Sequence, residues 1–410
     1  MGYTIVKGRS LPTYSEFYKS TTLEKRKSQG QYMTPDTLAD TLAKAIPFKD
    51  GDKVLEPALG TGQLVKAVLN NNPTLTLDID GWEQDEKVLE YVEPSVEAST
   101  HITQASSLTH ALTVKQGVYD VVLSNPPFYE FKPDAELKAQ YSDVISGRAN
   151  IFSLFFKLSI DMVKPGGYVG FIVPPSMNNG NFFNSLRSYI TQHCSVVHLR
   201  TYPSDLFEEA QTAVQVIVLR KLKEDEAPST DHIITHNGIN LFVESKKEFK
   251  LYWDGAVSLS EAGYSVKTGT VVWNKHKDDF EPHRGTESIP LIYAKDLKMV
   301  DEDYDTSLYT DRRFLPSTIP PAFIREPFVA VNRVVGGANK KLRAKAYGPN
   351  FYAENHVNFI IPTPGATTLV SVEELTELLN NVPSHYLSLL SGNTQISKTE
   401  LEQLIPLKLG

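Results

Sequence analysis

The 410-residue sequence contains one cysteine, Cys194. A single thiol excludes an internal disulfide and a cysteine zinc site, so no metal is expected, and it suits a reducing cytoplasm. No run approaches the roughly 18 apolar residues of a membrane helix, so no membrane partner is expected. The opening MGYTIVKGRS makes neither a signal peptide nor a myristoylation site, because Val6 stands where Ser or Thr is needed. Internal repeats and low-complexity tracts are lacking. Positive charge is also short: 41 Lys and Arg face 49 Asp and Glu, a net charge of −8. That argues against nucleic acid as a partner, unless the cations are gathered on one face. What is there is ordinary globular composition, 41% hydrophobic and 22% charged, with length enough for two domains.

Lys53-Val54-Leu55-Glu56-Pro57-Ala58-Leu59-Gly60-Thr61-Gly62 reads as a buried strand, a glycine turn and the start of a helix. Gly60 and Gly62 let the backbone bend tightly and approach a ligand closely. This is the pattern of the first βα turn in a doubly wound sheet, where nucleotide-like cofactors bind. The full dinucleotide fingerprint is missing, so NAD is the weaker candidate. The turn resembles the S-adenosylmethionine loop of class I methyltransferases. Taken alone, it also suits a glycine turn in some other α/β protein.

The second motif is Asn125-Pro126-Pro127-Phe128, closing the apolar run Val121-Val122-Leu123. It resembles the catalytic loop of methyltransferases that act on a planar amide or exocyclic amine. The lone pair of such a nitrogen is delocalised, so the nitrogen is a poor nucleophile. The Asn125 side-chain oxygen and the Pro126 carbonyl would each accept one N–H. Proline fixes φ and offers no competing donor, so that carbonyl is held in place. Charge growing on the nitrogen then meets preorganised acceptors, without a strong base. Phe128 would stack on the substrate ring. The plain alternative is a strand-end turn, where Asn-Pro and Pro-Pro are common.

From Lys53 to Leu222 strand-like runs alternate with helical ones, as in a mostly parallel sheet covered on both faces. Expected strands are Val54–Glu56, Leu75–Glu83, His101–Ala105, Asp120–Ser124, Tyr168–Val173, Val196–Thr201 and Ala213–Leu219. Expected helices are Thr37–Ala45, Gln63–Asn70, Ile151–Val163 and Phe182–Thr191, the third stopped by Pro165-Gly166-Gly167. A last strand pair is expected around Ile233–Val243. Beyond Trp253 the alternation stops. The expected division is a catalytic domain over 1–255 and a second domain over 256–410.

Gly30-Gln31-Tyr32-Met33-Thr34-Pro35 precedes a helix that Thr34 or Asp36 would cap, with Pro35 in its first turn. The segment resembles the one that closes over the methionine end of the cofactor, which assigns Tyr32, Thr34 and Pro35 to that site. Glu83, ending the second strand, stands where an acidic side chain meets ribose hydroxyls, and Asp85 would cap the next helix. Ser106 and Ser107 end the third strand; related enzymes often carry Asp where Ser106 stands, accepting from the cofactor adenine. With Glu56, Pro57, Ala58, Gly60, Gly62 and Asn125 these complete the expected cofactor set.

Motif order and length together resemble the gamma class of N6-adenine DNA methyltransferases along the whole chain. The resemblance implies a class I methyltransferase fold, Rossmann-like with a seven-stranded mixed sheet, followed by a smaller mixed α/β domain that recognises the target sequence. It implies methyl transfer from S-adenosylmethionine to N6 of an adenine flipped out of double-stranded DNA, leaving S-adenosylhomocysteine. By its spacing before Leu186-Arg187, Phe183 matches the second aromatic that faces the flipped base; an ordinary apolar helix position explains it as well. A monomer in a bacterial, archaeal or phage-infected cytoplasm is expected, with a separate restriction endonuclease as a candidate partner. In the second domain, residues 311–350 hold eight cations, Arg312, Arg313, Arg325, Arg333, Lys340, Lys341, Arg343 and Lys345, against Asp311 and Glu326, a net +6. Backbone phosphates would attract such a strip; a solvated face is the bland explanation.

Two other enzymes share Asn-Pro-Pro-aromatic, RNA adenine and protein glutamine N5 methyltransferases, but they typically lack the Gly30–Pro35 segment and so large a C-terminal domain. A non-catalytic DNA-specificity subunit is the third reading, against which stand intact Gly60, Gly62, Glu83, Asn125 and Phe128. The Pro-Asp and Glu-x-Lys pieces within Pro133–Lys138 are too close together for a nuclease and read as an exposed loop.

Overall fold

The computed structural model describes residues 14–22, 24, 26, 32–145, 147, 149–178, 180–202, 213–280, 288–297, 313–320, 322–335, 341–390 and 395–409. The chain divides into two compact units, 1–235 with 239–246, and 236–238 with 247–410.

The first unit is built on seven strands: β1 (Lys53–Glu56), β2 (Asp78–Glu83), β3 (Thr100–Gln104), β4 (Tyr119–Ser124), β5 (Val163–Val173), β6 (Cys194–Tyr202) and β7 (Val214–Lys221). They lie in the order β3-β2-β1-β4-β5-β7-β6. The four pairs along that order from β3 to β5 are parallel, and β7 runs antiparallel to both β5 and β6. This is the expected seven-stranded mixed sheet with a reversed closing hairpin.

Side chains alternate across each strand, so neighbouring residues serve opposite faces. Val54 and Val121 enter one core with helices α1 (Asp36–Ala45) and α2 (Gln63–Asn71). Leu55 and Val122 enter the other, with α3 (Ile151–Met162) and the apolar side of α4 (Asn184–His193). With both faces covered, the strands carry nearly continuous apolar runs. The chain leaves β1 toward β2 and returns to β4 on the other side, which opens a crevice at their carboxyl ends.

Some boundaries differ from expectation. β2 begins at Asp78 rather than Leu75. Pro165-Gly166-Gly167 does not end a helix: α3 stops at Met162 and β5 already pairs with β4 at Val163. The turn Asn181–Phe183 is 3-10, and α4 starts only at Asn184. Ile233–His236 and Ile239–Phe242 form their own two-stranded sheet, and the division between units passes through its turn.

The second unit contains a four-stranded antiparallel sheet of β8 (Tyr264–Thr268), β9 (Phe328–Asn332), β10 (Ala344–Tyr347) and β11 (Val357–Pro362), in the order β8-β11-β9-β10. Ser288–Ile292 pairs antiparallel with Phe314–Pro316 and parallel with Tyr352–Ala353 in a smaller sheet. Helices α5 (Val372–Asn380), α6 (Ser384–Leu390) and α7 (Lys398–Leu404) follow. Ser371 with Glu374 and Ser397 with Glu400 form capping boxes that fix the starts of α5 and α7.

Candidate active site

The cleft at the carboxyl ends of the strands is lined by Tyr32, Met33, Pro57, Ala58, Gly60, Glu83, Ser106, Ser107, Asn125 and Pro127, with Trp82, Tyr129 and Phe155 among its apolar walls. Each segment arrives from a strand end: residues 57–60 from β1, Glu83 from β2, Ser106 and Ser107 from β3, Asn125 from β4.

Gly60 and Gly62 both have positive φ, +56° and +85°. They differ in what they face. A Cβ on Gly60 would find nothing closer than Met33 Sδ at 3.7 Å, whereas one on Gly62 would lie 2.8 Å from Val96 Cγ1. Gly62 is the N-cap of α2 and packs inward; it does not line the cleft. An added side chain there would meet the core, not the path of a ligand.

Glu83 braces the glycine turn. Its Oε2 accepts from the Gly60 N–H at 3.0 Å and its Oε1 from the Asp85 N–H at 2.8 Å. Burial raises its pKa, and these backbone N–H groups pull it back only in part. Asp85 caps the short helix Glu86–Leu89 through the Lys87 N–H, as expected. Ser106 stands at the start of the short helix Ser107–His110 without capping it, and Ser107 Oγ donates to the Pro57 carbonyl, tying β3 to the β1 loop.

Glu56 is 1% exposed. Neither of its oxygens has a hydrogen-bond partner. Burial pushes its pKa well up, the Glu83 charge pushes the same way, and only the facing Asn125 backbone N–H opposes them. An uncompensated carboxylate of this kind is costly, and it suits a site completed by a cationic group.

Asn125 shows the complementary pattern. Its Nδ2 donates to Thr34 Oγ1 at 2.9 Å and, at 3.4 Å, to the Tyr32 carbonyl. A carbonyl only accepts, so the amide nitrogen must lie on that side. The Oδ1 is therefore turned away, buried, and without a partner. Neither Thr34 nor Asp36 caps α1: Pro35 is the N-cap and no side chain bonds there. Thr34 is spent on Asn125 instead, a contact across 91 residues that no local pattern signals.

The loop beyond Asn125 is anchored at its far end. The Ile151 N–H donates to the Tyr129 carbonyl, and Glu130–Phe131 pairs with Ala149–Asn150. Phe128 is half-buried and meets Phe152 edge-on, with centroids 6.3 Å apart. Phe183 stacks on the same ring at 5.0 Å. Phe152 thus joins the two aromatics, while Pro127 and Tyr129 line the cleft itself. Pro133–Lys138 is no exposed loop: Asp134 caps the helix Ala135–Gln140, whose Leu137 reaches the cleft wall. Gly30 and Gln31 lie outside the described residues.

Comparison with known proteins decides the family. The model described as N-6 DNA Methylase matches residues 13–262, more than half of the chain. The chain belongs to the N-6 DNA methylase family. Among this family member's relatives, the type II methyltransferase M.PstI of Providencia stuartii is 21% identical over 92% of this chain and 87% of its own length. M.BsuBI of Bacillus subtilis is 22% identical over 93% of this chain and 88% of its own. Against M.AccI of Acinetobacter calcoaceticus the identity is 24%, but over half of this chain, which spans only 39% of that protein.

In the second unit the basic strip is partly committed to the fold. Arg313 donates from Nη1 to both carboxylate oxygens of Asp296, and Arg333 donates to the Asn355 carbonyl. Arg325 lies over the Phe323 ring and Lys345 over Tyr347. Arg312 and Lys340 lie outside the described residues. Among the described residues no three His, Cys, Asp or Glu side chains converge as metal ligands would. No helix among them is long and apolar enough to cross a membrane.

Proposed function

We propose that this chain is a site-specific DNA methyltransferase that methylates N6 of adenine, using S-adenosylmethionine. The observation that carries the reading is the buried, unpartnered Asn125 Oδ1, turned away from its own amide's donors. S-adenosylmethionine supplies a methyl group made electrophilic by its sulfonium. Tyr32, Pro57, Ala58, Gly60, Glu83 and Ser106 would hold that cofactor in the cleft, with Glu83 toward the ribose and Ser106 toward the adenine.

Asn125 Oδ1 would accept one N–H of the target amine and the Pro126 carbonyl the other. Both acceptors gain strength as positive charge builds on the nitrogen, so they favour the transition state over the ground state. A paired adenine lies inside the duplex and must be extruded, which costs a few kcal/mol. Phe128 and Phe183 would offset that cost by stacking, and Phe152 against both supports their alignment. Residues 256–410 would read the sequence, with the cations of the 312–345 strip on phosphates and base edges. A separate endonuclease is the expected biological partner.

The test is to sequence DNA from cells expressing the chain, with detection of adenine methylation. Methylation at one short sequence is expected, and none from an Asn125→Ala variant made to the same level. DNA left unmodified while RNA or a protein glutamine acquires the methyl group would replace the substrate assignment.

A further inference from the structure

The Glu56 carboxyl has no role in the transfer step, and its surroundings do not suit an anion. It ends β1, fully inside the sheet, with both oxygens unpartnered. From β2 the facing charge is another carboxylate, Glu83; from the β4 side comes only the Asn125 backbone N–H. No cation of the described residues faces it. Glu83 differs, because each of its oxygens accepts a backbone N–H. Glu56 is followed directly by Pro57, and Pro57, Glu83 and Asn125 all line the cleft, so it lies just behind the surface that a ligand would touch.

We propose that Glu56 carries a proton in the cofactor-free protein and surrenders it when S-adenosylmethionine binds, so that cofactor capture releases a proton to solvent. The balance is simple. The carboxyl O–H breaks, the proton passes to buffer, and the carboxylate left behind is the counter-ion of a ligand bearing an ammonium and a sulfonium. Electrostatic logic requires the exchange: an isolated buried carboxylate neutralises itself by protonation, and an arriving cation reverses the preference. The sign of the pH dependence follows. Below the raised pKa of the free protein, binding must first remove the proton, so affinity increases with pH. Above it, Glu56 is already ionised and affinity levels off. The Asn125 N–H would then face a full carboxylate, so the same event would tighten the loop that carries Oδ1.

The inference rests on the cofactor reading above, and calorimetry separates the two. The full chain is titrated with S-adenosylmethionine in buffers of different ionisation enthalpy, across a range of pH. The parent should release close to one proton per cofactor on the acid side of the plateau, with Kd falling about tenfold per pH unit there. Glu56→Gln keeps the shape without the ionisable proton and should bind with no release and a flat pH profile. Proton release that persists in Glu56→Gln moves the exchange to another group and overturns the proposal. Binding by the parent with no proton release overturns it as well. Failure to bind at any pH would instead remove the cofactor reading itself. Should Glu56→Gln not fold, the parent still decides: a carboxylic-acid carbonyl band in the infrared spectrum should vanish on adding S-adenosylmethionine, and an unchanged band refutes the proposal.

Discussion

Two asparagines at strand ends, one in each unit, separate what a fold needs from what a ligand needs. Asn332 closes β9, and all of its side chain is used internally. Its Nδ2 donates to the carbonyls of Val334 and Lys341, and its Oδ1 accepts from the Arg343 N–H at 2.6 Å. Asn125 follows β4, and its Nδ2 is held in the same way, but its Oδ1 accepts from nothing. Buried polar atoms are nearly always satisfied, so an exception marks where something is missing. Around Asn125 the exceptions cluster, with both oxygens of Glu56 and the Ser124 hydroxyl beside it. The first unit gathers unpartnered polar atoms at one strand end beside the cleft, whereas the Asn332 side chain of the second unit is fully used.

The largest expected effect exchanges the fates of these two residues. Asn125→Ala should slow single-turnover methyl transfer by about 10²-fold or more, the scale of removing one preorganised partner in a transition state, with the melting temperature nearly unchanged. Asn332→Ala should do the reverse: a loss of about 1–3 kcal/mol in unfolding free energy, because the Arg343 N–H and two carbonyls lose their partner, and full activity in the protein that stays folded. Denaturant titration beside single-turnover kinetics checks both. Equal stability losses in the two variants would erase the distinction.

A second contrast lies within the glycine turn. Gly62→Val puts a branched side chain at positive φ and 2.8 Å from Val96. It should cost about 1–3 kcal/mol of stability through overpacking, before any effect on cofactor affinity appears. Gly60→Ala meets nothing closer than 3.7 Å, and its methyl group projects beside Met33 at the cleft. Cofactor affinity measured by calorimetry should fall further in Gly60→Ala than its thermal midpoint suggests. A stable Gly62→Val protein that has lost cofactor affinity would restore the simpler view that both glycines serve the ligand.

The sequence made the strand-end residues legible and left their mutual contacts hidden. Alternating apolar runs, punctuated by Gly and Pro, specify β1, β4 and their loops, because both sheet faces are buried and register is thereby forced. Glu83 is readable as the last residue of a strand whose apolar residues alternate with polar ones. Thr34 is not. Its local context advertises a helix cap, and only the folded chain brings it to Asn125. Leu137 and Phe155 were equally silent, since an apolar residue on a helix reads as core whether or not a cleft passes by. The second unit is less legible: its strands are short, and its cations say nothing of which are tied down.

Thr34→Val tests that hidden contact. It keeps the shape and removes the acceptor of the Asn125 amide, a bond worth about 0.5–1.5 kcal/mol. The amide then rotates more freely, so the single-turnover rate should drop by about tenfold or less, a smaller loss than in Asn125→Ala. Cofactor affinity should change less than the rate does. A rate matching the parent would mean that the Tyr32 carbonyl and the loop backbone orient Asn125 without Thr34.

The smallest expected effect lies in the second unit, where exposed and tied-down cations can be told apart. Lys345 is exposed on β10, at the edge of the four-stranded sheet. A lysine there also discourages edge-to-edge pairing, so its presence alone does not argue for a ligand. If it anchors a phosphate, Lys345→Gln should weaken binding to every duplex alike and lower the slope of log K against log salt by about one unit. Folding stability should stay within the usual surface range of about 0.5 kcal/mol. Arg313→Gln is the internal control. It leaves Asp296, whose side chain is only 11% exposed, with the Tyr293 N–H but without its cation, and should lower the thermal midpoint while leaving the salt slope of the folded fraction intact. Duplex binding measured across a salt series for both variants decides the matter. A salt slope lowered by Arg313→Gln and not by Lys345→Gln would mean that the ion pair opens for DNA and the edge lysine only guards the sheet.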